Sequence, residues 1–356
     1  MRIVHFIYDL VPVLREGALR LLKGFLPSWA ATIIVSFVII LALVLFGVLQ
    51  VIILTWLERK VIGRIQDRYG PNRAGPWGIL QAVADTIKIF TKEDIVPAAA
   101  DRWVHLLAPM VVVLPCFLVM AVIPFTRDFA GVDLNIGILY IVALSSLGGI
   151  AILMGGWGSN NKYSLLGGMR VAAQLISYEI PMGLSIMVAV MLAGSLSLTK
   201  ITEAQGGWWG LRWFVFFFPV GTLAFITYVI SALAELNRCP FDIPEADSEI
   251  VAGYITEYSG MKFALFFVAE YVNFFVVAAI AATLFLGGWQ GPILPPWLWF
   301  LIKTYGLIVV FMWFRGTLPR VRVDQLMALA WKVLVPLALA NIFLTGAGIS
   351  ALQPLV

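Results

Sequence analysis

The carboxylates are the most unusual residues of this sequence, because several of them interrupt long apolar stretches. Glu179 lies within AQLISYEIPMGLSIMVAVML and Glu270 within FALFFVAEYVNFFVVAAIA, while Glu235 ends the apolar run FITYVISALAEL. More acids crowd the next segment, NRCPFDIPEADSEIVAGYITEY: Asp242, Glu245, Asp247, Glu249 and Glu257. Carboxyl groups that are buried near one another exchange protons near neutral pH. These residues therefore predict proton transfer.

Each of these acids also has a simpler interpretation. A carboxylate near a helix end can reach water or pair with an arginine, and for Glu235 and Glu58 both interpretations stay open. Glu179 and Glu270 lie deeper, where a charge costs roughly 2.5–3.5 kcal/mol on insertion scales, which favours function. The acidic segment would be a solvated loop, except that apolar residues such as Phe241 alternate with its acids.

The composition indicates an all-α polytopic membrane protein. Of the 356 residues 61% are hydrophobic and 12% are charged, whereas a soluble domain carries about 25% charged residues. No soluble core could hide this much apolar side chain. The net charge of +4 is too small to indicate nucleic-acid binding. We interpret residues 1–356 as a single transmembrane domain.

Eight segments reach the length of about 20 apolar residues that a membrane-spanning helix needs. They are residues 31–57, 105–125, 135–157, 170–196, 213–236, 262–288, 296–314 and 327–348. Most lysines and arginines lie in or beside the first, third, fifth and seventh loops, which the positive-inside rule assigns to the cytoplasm. Both termini then face outward. Most acids gather on the cytoplasmic side too, which predicts a docking surface or a polar cavity there.

Two further segments have a predicted place. Residues 1–27, interrupted by charges, predict an interfacial segment rather than a signal peptide. In the first cytoplasmic loop, Pro76 suits a first helical position. Apolar residues then recur at helical spacing: Leu80, Val83, Ile87 and Phe90. This loop therefore predicts an amphipathic helix that lies along the membrane surface or against the spans.

No motif in the sequence predicts a cofactor held by this chain alone. The chain has two cysteines, Cys116 and Cys239, without CxxC spacing, and two histidines, His5 and His105. That argues against an iron–sulfur, haem or zinc site, so we predict no metal and interpret these four residues as structural. GxGxxG and P-loop motifs do not occur either.

Four long motifs resemble one known family. They are WLERKVIGRIQDRYGPNRAGPWGILQAVADTIKIFTKED, GGWGSNNKYSLLGGMRVAAQLISYEIPMGL, AELNRCPFDIPEADSEIVAGYITEYSGMKFALFFVAEY and FRGTLPRVRVDQLMALAWKVLVPLAL. In this order they resemble the H-subunit family of the proton-pumping NADH:quinone oxidoreductase, respiratory complex I, over about residues 30–345. Four motifs in register make the resemblance specific, and that family has eight spans with both termini outside.

The resemblance implies that the chain forms much of a quinone chamber where the membrane arm of the complex meets its hydrophilic arm. It implies roles at the chamber and its entrance loops for Glu58, Arg59, Arg238, Asp242, Arg315, Arg320 and Arg322. It implies a proton-coupling path through Glu179, Glu235, Glu245, Asp247, Glu249 and Glu270. At Asp247 the resemblance leads us to expect glutamate, so the charge is kept there with a shorter reach.

The resemblance also implies the substrate and the partners. Quinone is the expected substrate, the chain is not catalytic alone, and flavin and iron–sulfur clusters belong to partner subunits. The expected neighbours are hydrophilic quinone-junction subunits, membrane-arm subunits and lipids of the plasma membrane, without nucleic acid. Three alternatives remain: the homologous subunit of a membrane-bound hydrogenase, a stand-alone cation/proton antiporter, and an anchor that only docks a soluble arm. The antiporter predicts transport by the purified chain in liposomes, and the complex I hypothesis predicts none.

Overall fold

The regular elements of the protein are helices. The computed structural model describes residues 27–127, 131–243 and 250–352, with no strand in those ranges. Seven helices within them are long and apolar enough to cross a membrane: α1 (Ser28–Ile65), α3 (Arg102–Met120), α4 (Gly137–Gly158), α5 (Lys162–Ala193), α8 (Gly260–Phe285), α9 (Pro296–Thr317) and α10 (Val323–Ala351). Shorter helices lie between them: α2 (Leu80–Thr91), α6 (Leu198–Ala204) and α7 (Val220–Glu235). The prediction of an all-helical polytopic membrane protein is confirmed.

The segment expected to span the membrane over residues 213–236 is helical over a shorter stretch. A 3-10 turn, Phe214–Phe216, comes first, and the α-helix runs only from Val220 to Glu235, 16 residues. Pro219 accounts for the late start, because proline has no N–H to donate and disfavours a helical residue before it. At 1.5 Å per residue α7 is about 24 Å long, against roughly 30 Å for a hydrocarbon core.

The first loop also differs in detail from the expectation. Pro76 opens a 3-10 turn, Pro76–Gly78, and Trp77 has a left-handed φ of 54° that separates this turn from α2. The helix therefore begins at Leu80 rather than at Pro76. It packs against α1 and α8 and leaves the four predicted apolar residues exposed: Leu80, Val83, Ile87 and Phe90.

Helix α8 is the centre of the bundle. It contacts α1, α3, α7 and α9, and every residue from Phe274 to Phe285 is buried. A helix that is apolar all round belongs in the interior, and its alanines let neighbouring helices approach closely. The half of α8 nearer its N-terminus carries Glu270, so the most buried helix brings an acid into the bundle.

The chain that precedes α8 is fixed on α5. The 3-10 turn Gly253–Ile255 packs against α5, where the Ser164 hydroxyl donates to the Tyr254 carbonyl at 3.2 Å. Gly167 makes this close approach possible, because a Cβ added there would lie 2.7 Å from the Gly253 Cα. The end of the acidic segment therefore has a defined position against α5.

We predict that Gly167→Ala weakens the packing of the turn Gly253–Ile255 against α5 and lowers the midpoint of thermal unfolding of the protein in detergent. The added Cβ meets backbone atoms that cannot rotate away, and overpacking of this kind costs about 1–3 kcal/mol. Gly183→Ala is the matched control on the same helix, because nothing lies within 4 Å of its added Cβ. Equal midpoints for the two variants would contradict the prediction.

Candidate functional site

Glu58 lies at the centre of a buried group of charges. One carboxylate oxygen accepts hydrogen bonds from Arg238 Nη1 at 2.6 Å and from the Tyr271 hydroxyl at 2.9 Å. The other oxygen accepts from Arg315 Nη1. Only 5% of the Glu58 side chain is exposed, and an isolated ionised carboxylate is very costly to bury. Two guanidinium groups and a phenol compensate for the water that Glu58 has lost.

Arg238 follows α7 and links Glu58 to a second acid. Its Nη2 lies 2.9 Å from Glu270 Oε1, and its guanidinium carbon lies 4.6 and 4.4 Å from the ring centres of Tyr271 and Phe274. Stacking on aromatic faces stabilises a guanidinium that has lost its hydration. Although burial lowers the pKa of Arg238, the carboxylates of Glu58 and Glu270 raise it above its ordinary value. The guanidinium therefore stays charged.

We call the five residues Glu58, Arg238, Glu270, Tyr271 and Arg315 the charge cluster. Its two carboxylates and two guanidinium groups cancel in charge. The last turns of α1 carry Glu58, the middle of α8 carries Glu270 and Tyr271, and the last turn of α9 carries Arg315. Of the two interpretations that the sequence left open for Glu58, the structure shows the pairing with arginine.

A first cavity, of about 100 Å³, continues from the charge cluster into the bundle. Its walls come from α3, α4, α5, α7 and α8 and are mostly apolar, and its polar lining includes Glu235, Asn237, Glu270 and Asn273. A buried water needs roughly 10–15 Å³ of such space and several polar partners. The cavity therefore has room for several waters between Glu270 and Glu235.

A second cavity, of about 270 Å³, lies between α4 and α5. Its polar lining consists of Ser145, Ser146, Glu179 and Glu235. Glu235 lines both cavities. The structure thus brings three predicted carboxylates into one series: Glu270 and Glu235 share the first cavity, and Glu235 and Glu179 share the second.

Arg59, although next to Glu58 in sequence, has a different partner. Its Nη1 lies 2.6 Å from Asp85 Oδ2 on α2, and Lys88 Nζ lies 3.5 Å from Oδ1 of the same carboxylate. Partial burial raises the pKa of Asp85, but the hydrogen bond and charge of Arg59 and the charge of Lys88 lower it below its ordinary value. Neighbouring residues on a helix point about 100° apart, so Arg59 ties α2 to α1 instead of joining the charge cluster.

Arg320 and Arg322 lie on the surface after α9. Arg320 donates to the backbone carbonyl oxygen of Asp242, and Arg322 is the N-cap residue of α10. Both are exposed. Of the residues predicted for a quinone chamber and its entrance, the structure therefore gathers Glu58, Arg238 and Arg315 with Glu270 and places Arg59, Arg320 and Arg322 at exposed positions.

Three of the predicted acids, Glu245, Asp247 and Glu249, lie outside the described residues. On either side of them, Ile243 and Ile250 are buried. The part of these acids in a proton-coupling path stays a prediction.

Two aromatic residues and two amides of the site had no predicted role: Tyr271, Phe274, Asn237 and Asn273. Helical spacing carries part of the signal, because Phe274 follows Glu270 and Tyr271 by one turn of α8. The sequence does not reveal that the partner of Tyr271 is Glu58, 213 residues away. That contact depends on how α1 and α8 pack.

Comparisons with known proteins agree with these features. A family model described as NADH dehydrogenase matches residues 37–346, a range that includes the whole charge cluster. The NADH-quinone oxidoreductase H subunit of Dehalococcoides mccartyi is 55% identical over 304 residues, which cover 85% of this chain and 84% of the relative. The second H subunit of Geobacter sulfurreducens is 53% identical over 316 residues, which cover 86% of this chain and 94% of the relative. The H subunit of Bacillus thuringiensis is 50% identical over 312 residues, which cover 86% of this chain and 89% of the relative.

We predict that Arg238→Met destabilises the folded protein by about 3–5 kcal/mol, because it removes one of the two guanidinium groups that pair with the buried Glu58 and the guanidinium that pairs with Glu270. Arg59→Met is the matched control, since it removes the same guanidinium from an exposed ion pair that contributes about 0–1 kcal/mol. Unfolding with denaturant in detergent, followed by tryptophan fluorescence, measures the difference. Similar losses in the two variants would show that the charge cluster is not a stabilising unit.

Proposed function

This chain belongs to the NADH dehydrogenase family, among the H subunits of NADH-quinone oxidoreductase, and we propose that it is a membrane subunit of respiratory complex I. It takes part in NADH:quinone oxidoreduction as one subunit and is not catalytic alone. Quinone is the substrate, and flavin and iron–sulfur clusters belong to partner subunits. Its neighbours are the hydrophilic junction subunits and other membrane-arm subunits in a bacterial plasma membrane.

The observation that carries this proposal is a charge cluster at one end of the bundle, followed by two cavities that share Glu235. Reduction of a quinone adds two electrons and two protons and turns its two carbonyl oxygens into hydroxyls. The head group therefore needs hydrogen-bond donors, which the guanidinium groups of the cluster supply in our proposal. In our proposal this end of the bundle lines the quinone chamber, and Arg59, Asp242, Arg320 and Arg322 border its entrance.

The acids beyond the cluster provide the coupling in this proposal. Quinone reduction changes the charge next to Glu58 and Arg238, and that change alters the free energy of protonating Glu270, Glu235 and Glu179 in turn. Two units of pKa correspond to about 2.7 kcal/mol, and moving one proton against 100 mV costs roughly 2.3 kcal/mol. A modest change in field or burial is therefore large enough for one step of the relay.

The acidic segment extends the same proposal. In this proposal Glu245, Asp247 and Glu249 also take part in the proton-coupling path, and Asp247 keeps the charge of the expected glutamate with a shorter side chain. The turn Gly253–Ile255, which follows them in the chain, packs against α5, the helix that carries Glu179.

We also propose that α7 completes an eighth crossing. The helix is about 6 Å short of the hydrocarbon thickness, and the chain from Trp213 to Pro219 covers the rest. An even number of crossings puts both termini outside and the charged end of the bundle in the cytoplasm, in accord with the positive-inside rule. The amphipathic helix α2 then lies along the cytoplasmic surface with its exposed apolar side chains in lipid.

We predict that Glu235→Gln in the assembled complex lowers proton translocation about tenfold or more, because an amide cannot take up and release the proton and Glu235 lines both cavities. A tenfold change corresponds to about 1.4 kcal/mol in a barrier. Proton uptake and quinone reduction by complexes in proteoliposomes are the measurements. Glu179→Gln should act in the same direction.

Glu203→Gln is the control for that experiment, because Glu203 is an exposed acid that pairs with Arg127 at 3.1 Å, away from the cavities. Full coupled activity in both Glu235→Gln and Glu179→Gln would refute the relay. Cation/proton transport by the purified chain alone would instead favour the antiporter.

A further inference from the structure

His105 and Tyr258 form a buried aromatic pair near the charged end of the bundle. His105 lies in the first turn of α3, and Tyr258 lies in the segment that leads into α8. His105 is fully buried and Tyr258 nearly so. Their rings stack with centroids 4.1 Å apart and an interplanar angle of 9°.

Three polar atoms of this pair are buried without a hydrogen bond of normal geometry to the described residues: both ring nitrogens of His105 and the hydroxyl oxygen of Tyr258. Ser159 lies within reach of the hydroxyl, and the Glu257 backbone lies within reach of the imidazole. Buried polar atoms that lack protein partners usually bind ordered water. The pair therefore offers three hydrogen-bonding positions to water.

Charged residues border the pair on its surface side. Lys262, Asp94 and Glu257 act electrostatically on His105. They come from three places in the chain, since Asp94 precedes α3, Glu257 precedes α8 and Lys262 lies in the first turn of α8. Lys262 Nζ lies 2.9 Å from Asp94 Oδ2, and Asn161 donates to Glu257 at 2.6 Å. This group places two carboxylates and one ammonium group on the surface side of the imidazole.

On its other side the pair packs against a residue that lines the first cavity. Phe266 packs against Tyr258 with ring centroids 4.9 Å apart, and Phe266 and Tyr254 line that cavity. Gly155 of α4 keeps the space beside the hydroxyl free of side-chain atoms, because an added Cβ would lie 3.6 Å from the hydroxyl oxygen. The pair therefore stands between the charged surface and the cavity of Glu235 and Glu270.

We propose that His105 and Tyr258 form a proton inlet from the cytoplasmic surface to the cavity that Glu235 and Glu270 share. The inlet rests on the proposed function, for which it supplies the protons that the carboxylates exchange. Neutral imidazole accepts a proton at one ring nitrogen and releases the proton of the other to water or to the hydroxyl. One proton moves, and the ring returns to its neutral form as the other tautomer.

The hydroxyl serves as a relay rather than as an acid. Burial raises the pKa of Tyr258 to about 12, with Ser159 acting in the opposite direction. The phenol therefore stays protonated at neutral pH, and it accepts one hydrogen bond while it donates another.

The charge cluster is a poorer route for protons into the cavity. Arg238 stands between Glu58 and Glu270 and keeps its positive charge, and a like charge opposes the arrival of a proton in a medium of low dielectric. On the His105 side two carboxylates, Asp94 and Glu257, accompany the single cation Lys262. Charge changes at the quinone and the supply of protons thus reach the first cavity from different directions.

The test measures proton uptake by the assembled complex in proteoliposomes during NADH-driven quinone reduction. We expect His105→Ala to slow uptake about tenfold or more and Tyr258→Phe to slow it in the same direction. Added imidazole should restore uptake in His105→Ala. Pyrazole has nearly the same shape but is a far weaker base, so it should fill the space without restoring uptake.

The outcomes separate the inlet from the proposed function. Wild-type uptake in Tyr258→Phe and His105→Ala, together with impaired uptake in Glu235→Gln, would overturn the inlet and leave the relay standing. Equal rescue by imidazole and pyrazole would assign His105 a packing role and also overturn the inlet. If His105→Ala does not assemble, Tyr258→Phe, which removes a single oxygen, decides the question on its own.

Discussion

The ion pair between Glu58 and Arg238 determines how the charged end of the bundle is built. Each group is buried and carries a full charge, and each needs the other because an unpaired buried charge is far more costly than a paired one. The remaining contacts follow from this need. Arg315 neutralises the second oxygen of Glu58, Glu270 takes the second nitrogen of Arg238, and Tyr271 adds a hydrogen bond. Three helices and the turn after α7 are thereby fixed relative to one another.

The far end of α8 is held by apolar packing instead of ion pairs. From Phe274 to Phe285 every residue is buried, and all except Thr283 are apolar. At the end of this run Lys303 donates to the carbonyl oxygens of Gly288 and Gln290 at 2.9 and 2.5 Å and lies 4.5 Å from the ring centre of Trp213. Backbone carbonyl groups and an indole, rather than a carboxylate, surround this amino group. The carboxylate series runs across the bundle, from Glu270 on α8 to Glu235 on α7 and Glu179 on α5, and does not continue along α8 to its far end.

The helices and the acids within apolar stretches could be predicted from the sequence, because both are recognised from the pattern of neighbouring residues. A carboxylate within an apolar run, such as Glu179 or Glu270, is visible without any knowledge of its neighbours. The partner of Glu58 is not visible in this way, because Arg238 is 180 residues away and is one of several candidate arginines. The late start of α7 was missed for another reason. Hydropathy continues through Trp213–Phe218, and only the backbone chemistry of Pro219 limits the helix.

In the proposed mechanism the charge of Arg238, which lies between two acids, links the quinone end of the bundle to the proton path. Arg238 contacts Glu58 on one side and Glu270 on the other, so a change in charge beside Glu58 alters how much of the guanidinium's field acts on Glu270. That influence needs no proton to pass Arg238, which its charge opposes. In our proposal the protons come from elsewhere, and Phe266, which lines the cavity shared by Glu270 and Glu235, packs against Tyr258 of the His105–Tyr258 pair. In the proposed mechanism the fixed charge of Arg238 thus separates the electrical effect of quinone reduction from the path of the protons, so that quinone chemistry drives protons that it does not itself consume.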